Sequence, residues 1–212
     1  MQITQTPVLL GEPELSKRVS EATALLESTV GSKVAGASAQ WDLARDDFGR
    51  SLLVLRLRDL FGQSEGEFAP DEVSHVDHMA FRLNDLLGAL HTVARWKSDL
   101  RELYDRIREW CRDLPALYIA EDPVILREMR SGSYEVTRLR INSSGRAMTV
   151  EPVGAWIVGC DGRVDLDGPA VHLRLLFHRD RGWSWVDNTL PFTLRPLTRE
   201  LFLRLAEACL NG

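Results

Sequence analysis

Apolar residues recur at three- and four-residue steps through the middle of the chain: Val76, Met79, Leu83, Leu86, Leu90 and Val93, then Leu100, Tyr104, Ile107, Cys111 and Leu114. Lys97 interrupts the run. Such spacing puts one apolar stripe on a helix and, held over several heptads, makes a seam for another helix. A straight helix from Val76 to Leu114 would measure roughly 58 Å at 1.5 Å per residue, against a diameter of about 43 Å for a compact domain of this length. The spacing predicts one long helix, straight or kinked near Lys97-Ser98-Asp99, that overruns its own domain. A fresh cap at Ser98 or Asp99 would make a helical hairpin instead, but no Pro or Gly-rich turn stands there to support it. Ala80, Leu87, Ala94, Leu103 and Trp110 widen the stripe beyond a coiled-coil seam, which implies burial on more than one side.

Upstream, Pro13 suits a first helical turn, Leu15, Val19, Ala22, Leu26 and Val30 keep helical spacing, and Gly31 supplies a stop. The period then changes to two. Ala35, Ala37, Ala39, Trp41 and Leu43 predict a half-buried strand, Asp46-Asp47-Phe48-Gly49 a turn, and Leu53, Leu55 and Leu57 the returning strand, with Arg56 and Arg58 on its other face. A short third strand over Glu65 to Phe68 precedes Pro70, and Asp71 or Ser74 can cap the long helix.

Downstream, residues 115–133 read as a connector with a short helix from Asp122-Pro123 to Met129. Strands follow over Tyr134 to Ile141, Ala147 to Val150, Gly154 to Cys160, Val171 to His178, Trp183 to Val186 and Phe192 to Leu194. Asp161 to Gly168 reads as two tight turns around a short strand. Thr198 caps a final helix that buries Leu201, Phe202, Leu205, Ala206 and Cys209. The expected fold is α+β. An N-terminal helix, a three-stranded antiparallel sheet and the long helix occupy residues 1–114. A second, small antiparallel sheet closed by a C-terminal helix occupies 134–212.

Composition narrows the function classes. Net charge is −5, with 14 Lys and Arg against 19 Asp and Glu in residues 1–114 and 12 against 12 in 115–212, so neither part is the basic body of a general nucleic-acid binder. No apolar run reaches the length of about 18 residues that a membrane-spanning helix needs. The start MQITQTPVLLGEPEL has no basic-then-apolar leader pattern, and a cytoplasmic protein is expected. Cys111, Cys160 and Cys209 are odd in number and lie far apart among apolar residues, as buried thiols do.

Motif by motif, chemistry finds little anchor. Asp47-Phe48-Gly49 and His178-Arg179-Asp180 imitate kinase signatures in reversed order, without the glycine-rich loop or strand lysine. Asp165 to Pro169 fails the calcium-loop pattern at its fifth position. His75 and His78, three apart near Asp71, Glu72 and Asp77, are weak metal candidates at a permissive spacing. Arg138 and Arg140 with Trp183 and Trp185 make a candidate nucleic-acid platform. The expectation that emerges is an interaction or assembly subunit rather than an enzyme, with no cofactor and no membrane partner. It would form a homo-oligomer or dock a partner protein through Val76, Met79, Leu83, Leu86, Leu90, Val93, Leu100, Tyr104 and Ile107 of the 76–114 helix. Leu90→Asp would then turn an oligomer into a monomer. A nucleic-acid regulator and a metal-dependent enzyme at His75/His78 are the alternatives.

Overall fold

The computed structural model describes residues 2–30, 37–59, 63–112, 114, 117–189 and 193–211. Gly31, Ala35, Pro115 and Phe192 lie outside the described residues, as do the side chains of Val30 and Val76. The chain divides into two compact units, Met1–Ala94 with Arg127–Tyr134, and Arg95–Leu126 with Glu135–Gly212. The division falls inside the long helix, not after Leu114 where the periodicity changes.

The first unit contains β1 (Gln2–Gln5), α1 (Pro7–Leu10), α2 (Pro13–Val30), β2 (Ser38–Arg45), β3 (Ser51–Arg58), β4 (Gln63–Phe68), a 3-10 turn (Glu72–Ser74) and the start of α3 (Val76–Cys111). Its sheet runs β1-β2-β3-β4. The expected three antiparallel strands are present, and β1 adds a fourth that lies parallel to β2 with Gln2 opposite Ser38. Four residues with one apolar side chain carry almost no periodic signal, so β1 exists only because β2 is there to pair with it. On one face Leu55 lies opposite Trp41, Leu57 opposite Ala39 and Leu53 opposite Phe68. These side chains share a core with Val19, Ala22 and Leu26 of α2 and with Met79, Leu83, Leu86, Leu87 and Leu90 of α3. Asp71 makes no side-chain cap. The Glu72 carboxylate instead reaches back to accept the Ala69 N–H at 2.6 Å, ahead of the 3-10 turn.

The second unit holds the rest of α3, most of β5 (Leu117–Glu128) and β6 (Gly132–Ser143), then β7 (Arg146–Gly154), β8 (Gly162–Asp167), β9 (His172–His178), β10 (Gly182–Asp187), β11 (Thr193–Pro196) and α4 (Arg199–Asn211). Its seven-stranded antiparallel sheet runs β11-β10-β9-β8-β7-β6-β5. The β6–β7 turn places Ser144 and Gly145 at φ 49° and 82°, the left-handed pair that a two-residue hairpin loop requires. Thr198 caps α4 as its sequence suggests, its hydroxyl accepting the Leu201 N–H at 3.2 Å. Leu201, Phe202, Leu205, Ala206 and Cys209 are buried.

Two expectations are corrected. Asp122 to Met129 is not a helix: β5 runs through Asp122 and Pro123 to Glu128. Pro123 is tolerated because β5 is an edge strand, where one missing donor breaks no ladder bond. Gly154 to Cys160 is not a strand. β7 ends at Gly154, and only an isolated bridge joins Ile157 to Cys160.

Helix α3 is continuous over 36 residues, with no break at Lys97-Ser98-Asp99. The stripe steps from Val93 to Trp96 and on to Leu100, all three buried, and so bypasses Lys97. Trp96 packs against Gly162, where a Cβ would come within 2.2 Å of its ring. Gly162→Ala is therefore expected to overpack this contact and cost about 1–3 kcal/mol. Gly88→Ala, at an exposed helical site with nothing within 4 Å, should gain about 0.5–1 kcal/mol. Urea denaturation midpoints of the two variants should move in opposite directions.

Candidate interaction site

The stripe expected to dock a second helix is used by the chain itself. Within the first unit Met79, Leu83, Leu86 and Leu90 are at most 4% exposed, and Val93 is fully buried. Within the second, Leu100, Tyr104 and Ile107 are equally enclosed, and the Tyr104 hydroxyl donates to the Thr137 carbonyl at 2.6 Å. Each fully buried leucine or isoleucine contributes roughly 1.5–3 kcal/mol to the fold, so presenting this stripe to another molecule would mean dismantling both cores.

Arg138, Arg140, Trp183 and Trp185 are not brought together. Arg138 and Arg140 belong to a polar sheet face on which carboxylates of the neighbouring strands hold them. Asp122 on β5 meets both arginines, Arg138 also meets Glu151 on β7, and on β8 Asp165 is gripped by Arg163 at 2.6 Å. His172 on β9 sits between Asp165 and Asp167. Trp183 and Trp185 lie opposite Phe177 and Leu175, at the alternate positions that turn to the other face. Trp183 is 5% exposed and packs against Trp96 and Phe177, while Arg195 covers the Trp185 ring. A phosphate would have to displace carboxylates already bound to the two arginines, and a base would find the Trp183 ring enclosed.

At the other weak candidate, His75 is exposed and His78 lies 3.1 Å from the Glu72 carboxylate. Among the described residues no group of three or more His, Cys, Asp or Glu is arranged to hold a metal ion. Burial raises all three thiols, Cys209 to about 11, which favours the thiol over the thiolate; Cys111 and Cys209 are buried as expected, while Cys160 is partly exposed. A cleft of about 390 Å³ beside α3 in the second unit is lined by both signs of charge, with Arg108 bridging Asp105 and Glu121. It presents no single-sign field. Among the described residues no helix is long and apolar enough to cross a membrane.

What remains open is the outer edge of β5. The strand is 12 residues long and ends the seven-stranded sheet, and none of its residues is buried. Tyr118 and Ile125 are 69% and 67% exposed, and Ile119, Val124 and Leu126 are partly exposed. The sequence hid this edge because Asp-Pro imitates a helix start. The adjacent β-branched Val124 and Ile125 were the signal for a strand.

One enclosed carboxylate oxygen stands outside this surface. Asp99 on α3 has a carboxylate oxygen enclosed without a hydrogen-bond partner among the described residues. Burial raises its pKa above the ordinary 3.8, with Glu102 and Asp161 adding to the shift while Arg179 and Arg95 oppose it.

No protein-family model, curated protein or solved structure matches the chain.

Two outcomes are expected. Leu90→Asp should abolish cooperative folding, read as loss of the urea transition, because it strands a carboxylate in a fully buried site. The folded state holds the Asp99 proton more tightly than the unfolded state. Asp99 therefore favours folding at low pH, and that contribution is lost as pH climbs from the unfolded value through the raised folded value. Asp99→Asn should raise the urea midpoint at pH 7 relative to the parent and remove this part of the slope at pH values above the unfolded Asp value.

Proposed function

We propose that this chain is an interaction subunit rather than a catalyst, and that it docks another protein chain by strand addition along β5. The observation that carries the reading is the contrast between β5 and the other sheet edges. Edge strands offer unpaired N–H and C=O groups, and folded proteins keep such edges short, charged or covered. β1 and β11 have 4 residues each and β4 has 6. β5 has 12, with large apolar side chains standing in solvent. Strand addition would satisfy its backbone groups while neighbouring side chains set specificity. The assembly role expected of the long helix thereby passes to the strand, because the helix stripe is already occupied.

Native mass spectrometry and sedimentation of the protein isolated from its own cells test this. Complexes above the 24.0 kDa of one chain are expected, and Ile125→Lys should weaken them by roughly 10- to 150-fold, the worth of one buried isoleucine. A 24.0 kDa species alone, or complexes indifferent to Ile125→Lys, would overturn the reading.

A further inference from the structure

We infer that the occupant of the β5 edge is a second copy of β5, paired antiparallel about a two-fold axis at Asp122; this rests on the strand-addition reading above. The sequence of the strand is self-complementary. An apolar triplet, Tyr118-Ile119-Ala120, and another, Val124-Ile125-Leu126, flank Glu121-Asp122-Pro123. A two-fold axis through Asp122 sets Tyr118 against Leu126, Ile119 against Ile125 and Ala120 against Val124 of the second copy, so both triplets meet apolar residues, while Leu117 at the strand end faces Arg127. Isologous pairing of this kind is the commonest route to a dimer.

Backbone chemistry selects the same register. Outward-pointing N–H and C=O groups belong to alternate residues of an edge strand. Pro123 must be one of them, since a proline turned inward would remove a bond to β6. Ile119, Glu121 and Ile125 then point outward too. With the axis at Asp122, each Ile119–Ile125 pair exchanges two hydrogen bonds, and each Glu121–Pro123 pair makes the one that proline allows. An axis at Pro123 would set proline against proline with no donor on either side. An axis at Val124 would put Asp122 opposite Leu126, and one at Glu121 would face two Glu121 across the axis and oppose Asp122 to Ala120. Charge is compatible with the Asp122 axis: each facing carboxylate arrives bound to Arg138 and Arg140, and with Glu151 also on Arg138 the four guanidinium groups offset four carboxylates.

Non-hydrogen-bonded partners in an antiparallel pair lie about 4.5 Å apart at Cα, within disulfide range. Ala120 and Val124 of the second copy form such a pair. In a Cys160→Ser background, Ala120→Cys protein mixed with Val124→Cys protein should link under mild oxidation to a species of about 48 kDa, twice the 24.0 kDa chain. Neither variant should link alone, and the mixture should react at least about tenfold faster than Ala120→Cys with Leu126→Cys, whose Cα atoms this register holds beyond disulfide reach. With the unsubstituted protein, amide exchange at Ile119, Glu121 and Ile125 should slow as concentration rises. Equal linking in both mixtures, no linking, or concentration-independent exchange would overturn the two-fold register. Native complexes sensitive to Ile125→Lys but containing a different protein would keep the interaction role and remove the second copy from it.

Discussion

One helix supplies two hydrophobic cores, and the rest of the structure depends on that burial. The first part of α3 closes the face of the four-stranded sheet formed by Trp41, Leu55 and Phe68, and the second part joins the core of the seven-stranded sheet's unit. Neither sheet could leave that face in water, because leucine-rich surface costs roughly 25 cal/mol for every Å² left exposed. Trp96 marks how tightly the demand is met. A full indole is accommodated only because residue 162 has no side chain.

Polar surface is handled differently on the two sheets. In the first unit, Arg56 sits on the solvent face between Asp42 and Glu65, at 2.8 and 2.7 Å, and holds three strands in register by charge. On the second sheet ion pairs join Asp122 to Arg138 and Arg140 and Arg138 to Glu151, while Arg163 and His172 hold Asp165, which stands opposite Glu151. Cross-strand pairs of this sort contribute a few tenths of a kcal/mol each and penalise any slip that would bring like charges together. They specify pairing more than they stabilise it, and they leave little free positive charge on that face for a nucleic acid.

β5 combines two opposed tendencies. Pro123 and the acidic pair before it limit indiscriminate pairing, as edge strands commonly do. The apolar triplets on either side invite a partner of matching pattern. A blunted centre between two adhesive arms discriminates among partners more sharply than a uniformly sticky edge, because most registers would place an acid against an apolar residue.

Local periodicity alone settled much of the architecture. Leu53, Leu55 and Leu57 against Arg56 and Arg58 defined a strand and its buried face, and the spacing through α3 favoured one long helix, while its continuity past Lys97-Ser98-Asp99 was left to the structure. The extra width given by Leu87 and Leu103 already implied burial on several sides, and both prove enclosed. Which molecule would cover the stripe was not legible, because a core-facing helix and a partner-facing helix bury the same residue types at the same spacing. β1 was invisible for want of length, and Asp122-Pro123 was misread because its dipeptide preference suits both a helix start and a strand edge. Those choices belong to tertiary structure. Only the long-range pairing of strands decides which backbone groups are already bonded, and therefore which edge of the molecule still has bonds to offer.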